Sequence, residues 1–521
     1  MSRLRLSGNC LMELLDRHKD YMPTGGYEVA HDLGRWWDAV LRLEEAIDFE
    51  IPNELETSSL KNLQLLTDNP DCLLMNRPDV SWLREKAVFN PHNFRETLFA
   101  YGGLIRCRNN TWAYESGLQL VRAMDRCLTA DGSFDFTRFG SWGQFPFTQD
   151  TSHTEQKRDG WFDGTATSGR SLEALIWFYE VTGEPLAIDV AHRIAEHHLE
   201  YSTNAQGTVR EDIIDSGNVG HNHSYLGTLR GLLLFGLLTH RQDYVDVVEA
   251  TYRHGITGQI VKESGWAPHD LGKTRFPNDH GDPVADPAST GDSAQLALWL
   301  ALEADCVDLL DDVERFVRAR IFPAQFTETE LHQFPEFESS SRLLGAWAIH
   351  GPSHAGKGCT PDVLAAVTHS LCDIYRHICT TTQDGLRINL HFDYEDSNLR
   401  ITSTRNQRGM LSVLIKRPQS LMIRIPKWAP VSSLIFSVKG KRIPLKRVGT
   451  FALISRDLLS EHCTIEMSFD LPERWTEERM PSGRCYRFRW RGDEIVGVSP
   501  QDEPLPFYVH MDHTSPTSRD I

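Results

Sequence analysis

Histidines, carboxylates, arginines and tryptophans crowd into the stretches that lead into apolar helical segments of this chain. The first such stretch holds Tyr27, His31, Asp32, Arg35, Trp36 and Trp37, and the second His92, Asn93, Arg95 and Glu96. A third runs through Arg158, Asp159, Trp161, Asp163 and Arg170, a fourth through Glu211, Asp212, Asp215, His221, His223 and Tyr225. The fifth is the densest, with Trp266, His269, Asp270, Asp279, His280, Asp282, Asp286 and Asp292. The sixth offers His350, His354, Lys357 and Cys359. Carboxylates and histidines interleaved with tryptophan suit a sugar site. An indole face stacks on the apolar face of a sugar ring, and paired carboxylates protonate a leaving oxygen and stabilise or attack the anomeric carbon. Singly, such residues are ordinary: Asp292 and Asp362 each suit a helix N-cap. The pair His221 and His223 is weak evidence for a metal and fits a sugar contact, a general base or a structural hydrogen bond. The clustering carries the inference.

The elements that must position these residues repeat one design. An apolar-periodic helix ends in a short polar turn, and a more charged helix follows. Residues 168–200 are the clearest copy: Leu172, Leu175, Ile176 and Tyr179 have helical spacing, and Thr182-Gly183-Glu184-Pro185 breaks it. Residues 223–255, 289–320 and 93–127 follow the same plan, 29–66 supply a degenerate first pair, and 361–378 supply a sixth leading helix. Six leading helices, apolar on more than one face, predict an (α/α)6 toroid in which they form the inner ring. An open α-solenoid shares the hairpin logic, but the irregular spacing of these hairpins disfavours a regular stack. From about Gly385 the period changes to two. Leu386-Ile388-Leu390, Leu411-Val413-Ile415, Leu421-Ile423-Ile425, Leu434-Phe436-Val438 and Ile465-Met467-Phe469 read as short strands of an antiparallel sandwich. The polar tail, 513–521, reads as frayed.

A formal charge of −18 argues against a surface that wraps nucleic acid, though a pocket can still be locally basic. No apolar run reaches the roughly 18 residues of a membrane span, and residues 1–22 mix charges with leucines rather than forming a signal-peptide core. Ten scattered cysteines without a CxxC pair do not read as a disulfide framework. The expected compartment is the reducing cytoplasm.

The segment 358–428 resembles the junction between helical and β domains in the zinc-dependent β-L-arabinofuranosidases, glycoside hydrolase family 127. In that family a Cys-Cys-(Thr/Pro)-(Pro/Gly)-Asn turn carries the catalytic thiolate, and here the sequence is Gly358-Cys359-Thr360-Pro361-Asp362. A second match is Phe276-Pro277-Asn278-Asp279, similar to the family's Leu-Pro-Asn-Asp turn. Counting back from Gln295-Leu296-Ala297-Leu298 puts Asp286 at the family's glutamate and Ala288 at its cysteine. The entry 29–37 and the stretch from Ile423 to Pro472 extend the likeness. It implies a six-hairpin glycosidase scaffold. With Ala288 and Gly358 at two cysteine positions, the zinc site reads as lost. Cys359 then remains either a nucleophile activated by His354 or a packed thiol.

Together these readings give an α+β multidomain chain, with residues 1–383 a catalytic (α/α)6 toroid and 384–521 a β-sandwich. The expected reaction is hydrolysis at the non-reducing end of an oligosaccharide by carboxylate acid–base catalysis, with no metal and no cofactor. Asp270 is the expected general acid and Asp286 its partner, with Asp163 and His223 as further catalytic candidates. His31, Trp36, His92, Trp161, Arg170, His221, Tyr225, Trp266, His269 and Cys359 are expected to contact substrate. Two alternatives stand beside this. A uronide lyase or unsaturated glucuronyl hydrolase would set Arg158, Arg170, Arg230, Arg275 and His223 against a uronate carboxylate, with Asp163 as proton donor. A non-catalytic sugar-binding protein is the other. The expected partner is a carbohydrate, with a homodimer left open and neither nucleic acid nor membrane involved.

Overall fold

The computed structural model describes residues 2–23, 29–76, 92–134, 168–214, 219–272, 274, 277, 281–327, 341–347 and 360–500. The chain opens with helix α1 (Arg3–Glu13) and a short hairpin, β1 (Leu15–Asp16) with β2 (Met22–Pro23). Helical pairs follow: α2 (Val29–Ile47) and α3 (Asn53–Leu66), α4 (Asn93–Arg108) and α5 (Thr111–Cys127), α6 (Ser171–Thr182) and α7 (Pro185–Tyr201). Strand β3 (Val219–His221) leads into α8 (Asn222–Thr239) and α9 (Gln242–Thr251); strand β4 (Asp270–Gly272) precedes α10 (Pro287–Glu303) and α11 (Leu310–Phe316). The last helix is α12 (Pro361–Arg376).

These helices stop and restart where the sequence chemistry requires. Asn109, Gly183 and His240 close α4, α6 and α8 in the left-handed region, with φ of 48°, 71° and 56°. Pro185, Pro287 and Pro361 sit in the first turns of α7, α10 and α12, where a missing N–H costs nothing. The even-numbered helices α2 to α12 pack each on the next, and α12 packs back on α2. An open solenoid would leave α2 and α12 apart, so the ring is a toroid. Helix α1 rests on α12 and α2, supplying from the N-terminus the outer partner that α12 lacks in its own hairpin.

The inner helices approach closely. A Cβ at Gly34 would lie 2.9 Å from both the Cβ and the carbonyl oxygen of Glu96, and one at Gly231 would lie 2.4 Å from Leu172 Cβ. Glycine at position 34 is therefore what lets α2 and α4 bring Arg35 and Glu96 within ion-pair distance (3.2 Å). Between the rings lies the apolar core, in which Leu172, Leu175 and Ile176 of α6 are buried, as their spacing predicts, while Tyr179 is half-buried and Phe178 is buried instead. Each such side chain contributes about 1.5–3 kcal/mol on leaving water.

Beyond α12 the chain is built of strands, starting with β5 (Cys379–Thr382). The sequence between α12 and that point is too short for a linker, so the chain passes directly from helix into sheet. Beside β5 lie β6 (Gly385–Ile388), β7 (Tyr394–Glu395), β8 (Leu399–Arg405), β9 (Gly409–Ile415) and β10 (Leu421–Arg424). The series continues with β11 (Ile435–Val438), β12 (Lys441–Ile443), β13 (Arg447–Val448), β14 (Phe451–Ile454) and β15 (Thr464–Phe469). One sheet runs β13-β14-β10-β6-β5 and the other β12-β11-β15-β9-β8-β7. The period-two residues Leu411, Val413, Ile415, Ile465, Met467 and Phe469 all turn inward. The pairing is antiparallel except between β10 and β6, which run parallel.

A further sheet of β16 (Glu473–Arg479), β17 (Cys485–Arg491) and β18 (Glu494–Ser499) stands apart from the sandwich. Its inner face, with Tyr486, Phe488, Trp490 and Ile495, forms a separate core with Trp266 and Ala319 of the helical part. Glu478 accepts from Ser264 N (2.7 Å) and Ser264 Oγ (2.6 Å), and Asp282 accepts from Ser482 N (2.6 Å) and Ser482 Oγ (2.9 Å). The third sheet is thus stitched to the segment that carries Asp270 and Asp286.

Candidate active site

Each inner helix turns one polar stripe toward the ring axis, at three- and four-residue spacing that keeps it on a single face. Helix α2 presents His31, Arg35, Asp38 and Arg42; α4 presents Arg95, Glu96 and Phe99; α6, Glu173 and Trp177, with Arg170 just before it. Helix α8 adds His223 and Arg230, α10 adds Asp292, Gln295 and Trp299, and α12 adds His369 and Asp373. Stacked along the axis, they form a buried column of ionisable groups.

His223 sits at its heart. Its Nδ1 pairs with the Asp292 carboxylate, which Arg230 also holds. Its Nε2 faces Arg35 Nη2 at 2.6 Å and Arg95 Nη1 at 3.3 Å. With guanidinium donors on Nε2, the network places the ring proton on Nδ1. Burial, reinforced by the charges of Arg35, Arg95, Arg170 and Arg230, holds His223 well below the usual histidine range. It is a neutral imidazole whose lone pair points among cations. Burial also raises the Asp292 carboxyl, against the pull of Arg230.

Glu96 behaves in the opposite way. Burial alone would raise it, but Arg170 (2.5 Å), His31, Arg35 (3.2 Å) and Arg95 (3.3 Å) hold it down at about 2. Glu173 bridges Arg230 (2.9 Å), Arg95 (3.5 Å) and His369 (3.4 Å), and is likewise lowered. A second imidazole–carboxylate pair mirrors the first: His369 Nδ1 lies 2.6 Å from Asp38, which Arg42 holds at 2.8 Å. Asp373 accepts from Gln295 (3.0 Å) and Trp299 (2.6 Å). The free space between the two pairs is about 10 Å³, room for a single water molecule and far too small for a sugar ring.

Toward the start of the inner helices lies a row of histidines. Ring centroids are 6.3 Å apart for His31 and His92, 6.1 Å for His92 and His221, and 4.8 Å for His221 and His269. Strand β3 pairs with β4 so that His221 stands opposite Asp270, and His269 Nδ1 is 2.9 Å from the Asp270 carboxylate. Burial lowers His31 to about 4, with Glu96 opposing and Arg35 and Arg170 adding to the shift.

The structure brings together His31, His92, Arg170, His221, His223, His269 and Asp270 at or just above the column. It places others elsewhere. Trp36 donates to Leu11 O in α1, on the outer side of α2. Tyr225 donates to Ser202 O at the end of α7 (3.1 Å). Trp266 is packed under the third sheet. Asp286 caps α10, accepting from Ala288 N (2.9 Å) and Ser289 Oγ (2.6 Å), while Asp292, read from sequence as a helix cap, lies inside α10 and faces His223. Asp163, Trp161 and Cys359, with Arg158, Arg275, His280 and His354, fall outside the described residues. Sequence reasoning missed Asp38, Arg42, Glu173, Gln295, His369 and Asp373. Their signal was a polar position one or two turns below each recognised residue, on the same helical face.

The zinc centre implied by the family resemblance needs thiolates. Asp286 uses both oxygens as a helix cap and Ala288 presents a buried methyl, so this donor set does not fit zinc.

No protein-family model and no curated protein matches the sequence. Among solved structures, a GH127 β-arabinofuranosidase matches with a TM-score of 0.59 at 12% identity, covering 95% of this chain and 78% of that one. A GH127 β-L-arabinofuranosidase from Geobacillus stearothermophilus T6 matches with a TM-score of 0.53 at 15% identity, covering 94% and 80%. A protein described as a glycoside hydrolase matches with a TM-score of 0.58 at 13% identity, covering 89% and 77%. At these identities the likeness is one of fold alone, shared with these glycoside hydrolases.

Proposed function

We propose that the protein is a glycoside hydrolase whose reaction takes place at the mouth of the toroid, above the charged column. The observation that carries this reading is the position of Asp270. Its carboxylate is buried on β4, opposite His221 and against His269, at the end of the histidine row. A sugar ring at that level has imidazoles beside its hydroxyls and a buried carboxyl ready to protonate a glycosidic oxygen. Asp270 is assigned as the general acid. Asp286, engaged as the cap of α10, is assigned to holding that helix and with it Asp292. The column below fixes the floor of the site: Glu96 and Glu173 keep four arginines in place, and Asp292 orients His223. Release of reducing sugar from a panel of oligosaccharides and aryl glycosides tests the assignment. Asp270→Asn is expected to lower turnover about a thousandfold, and full turnover in this variant removes Asp270 from the chemistry.

One observation favours a second reading, in which the sugar is a uronate. Arg170, at the upper end of the column, donates to Ser224 Oγ (3.2 Å), which also bonds His221 (2.9 Å), so a guanidinium stands beside the histidine row. A lyase would release a product with ultraviolet absorbance from its new double bond, and an unsaturated-uronide hydrolase would consume one.

A further inference from the structure

The outer face of the third sheet has no role in the toroid site, and its chemistry is unlike the rest of the molecule. Its inner face is apolar and packed on Trp266. Its outer face carries Trp475, at 53% the most exposed large apolar side chain among the described residues. The register sets Trp475 directly opposite Arg489 and Glu477 opposite Arg487, with Glu473 opposite Arg491. Arg487 lies over the Trp475 ring at 5.1 Å. Arg489 lies across Gly497 of β18, where an added Cβ would stand 3.4 Å from its Nε, so the face stays flat.

We propose that this face is a second carbohydrate-binding site, for an acidic polysaccharide of the polyuronate class. The inference rests on the reading of the fold as carbohydrate-acting. An exposed indole on a flat sheet offers a stacking surface for a sugar ring. Arg487 and Arg489, two residues apart on one strand, project about 7 Å from each other, and a planar guanidinium pairs bidentately with a carboxylate. Among the described residues neither arginine has an ion-pair partner, on a chain whose net charge is −18. Glu473 and Glu477, beside Trp475 on the same strand, accept hydrogen bonds from sugar hydroxyls. Through Asp282 and Ser482 the sheet is tied to the segment bearing Asp270, so a chain held here lies on the body that forms the mouth of the toroid.

Binding is measured on the full chain carrying Asp270→Asn, by affinity electrophoresis and titration calorimetry with polygalacturonate, a neutral galactan and single-stranded RNA. Turnover plays no part in the readout, so failure here is distinct from failure of the Asp270 assignment. Polygalacturonate is expected to retard the protein, and Trp475→Ala and the double variant Arg487→Glu/Arg489→Glu are each expected to weaken it about tenfold or more. Circular dichroism is expected to show both variants folded, since all three side chains face solvent. No retardation by polygalacturonate, equal binding of the neutral galactan, unchanged affinity in the folded variants, or tighter binding of RNA each overturns the proposal.

Discussion

Along the toroid axis, Arg35, Arg95, Arg170 and Arg230 meet Glu96, Glu173 and Asp292; at the seam between toroid and sheets, Arg318, Arg405 and Arg424 meet Glu314, Asp311 and Asp493. Both networks pair guanidinium with carboxylate, and every one of these groups except Asp311 is buried. They differ in what else they hold. The seam arginines also bond main-chain carbonyls: Arg318 to His391 O, and Arg424 Nε to Asn389 O at 2.5 Å. His391 returns a bond to Arg424 O at 2.9 Å. Such bonds fasten one segment to another. On the axis, apart from Arg35 Nη1 to Asp362 O (3.5 Å), the partners are side chains around a small space, and two imidazoles are held there by carboxylates on Nδ1. The same residue types therefore act as adhesive where they grip backbone, and orient imidazoles where they grip one another.

The largest test of that contrast is Arg424→Ala. It removes the cation that bonds both Glu314 and Asp311, and Glu314 is fully buried. A loss of about 3–5 kcal/mol is expected, read as a lower denaturant midpoint; a loss under about 1 kcal/mol, the scale of an exposed pair, would show the seam to be no adhesive. On the axis, Asp292→Asn is expected to cut turnover about a hundredfold, and to move the pH profile as His223 loses its orienting anion. An unchanged profile in a folded variant would place His223 outside the chemistry.

Acid should loosen both networks, and the sign follows from the shifts. His31 and His391 lie in the fold at about 4 and about 3, below the ordinary 6.5, because burial disfavours their charged form. The unfolded chain then binds protons first, so stability is fully present above about pH 6.5 and falls as pH drops toward those values. Glu96, lowered from 4.5 to about 2, extends the decline below pH 4.5 in the same direction. Urea midpoints measured between pH 7 and pH 4 are expected to slope in this way, and His391→Gln to flatten the slope. A flat profile in the parent protein contradicts it. The smallest effect belongs to Asp286→Ala, which removes a helix cap and should cost about 1 kcal/mol with turnover retained. Collapse of turnover at unchanged stability would instead restore Asp286 as the partner carboxylate of Asp270.

The helical hairpins and the inward residues of the strands were legible from sequence, because both reflect local periodicity. Leu172, Leu175 and Ile176 share a face at helical spacing, and Leu411, Val413 and Ile415 alternate. The entry residues His31, Arg170, His221 and His223 were legible as candidates because they cluster before apolar helices. Their roles were not. Asp286 reads from sequence as a partner acid and Asp292 as a helix cap, yet Asp286 caps α10 and Asp292 faces His223, 69 residues away in sequence. Trp36 and Trp266 carry the same side chain as a sugar platform would and instead fill the packing against α1 and the third sheet. Trp475, by contrast, is left in solvent by a sheet whose other face is taken. Sequence by itself determined which faces are apolar, where helices stop, and that charge is concentrated near the helix starts. Only the closed ring decided which charges meet. An ion pair or an oriented imidazole depends on distances of a few ångströms between helices remote in the chain, and local periodicity carries no information about those distances.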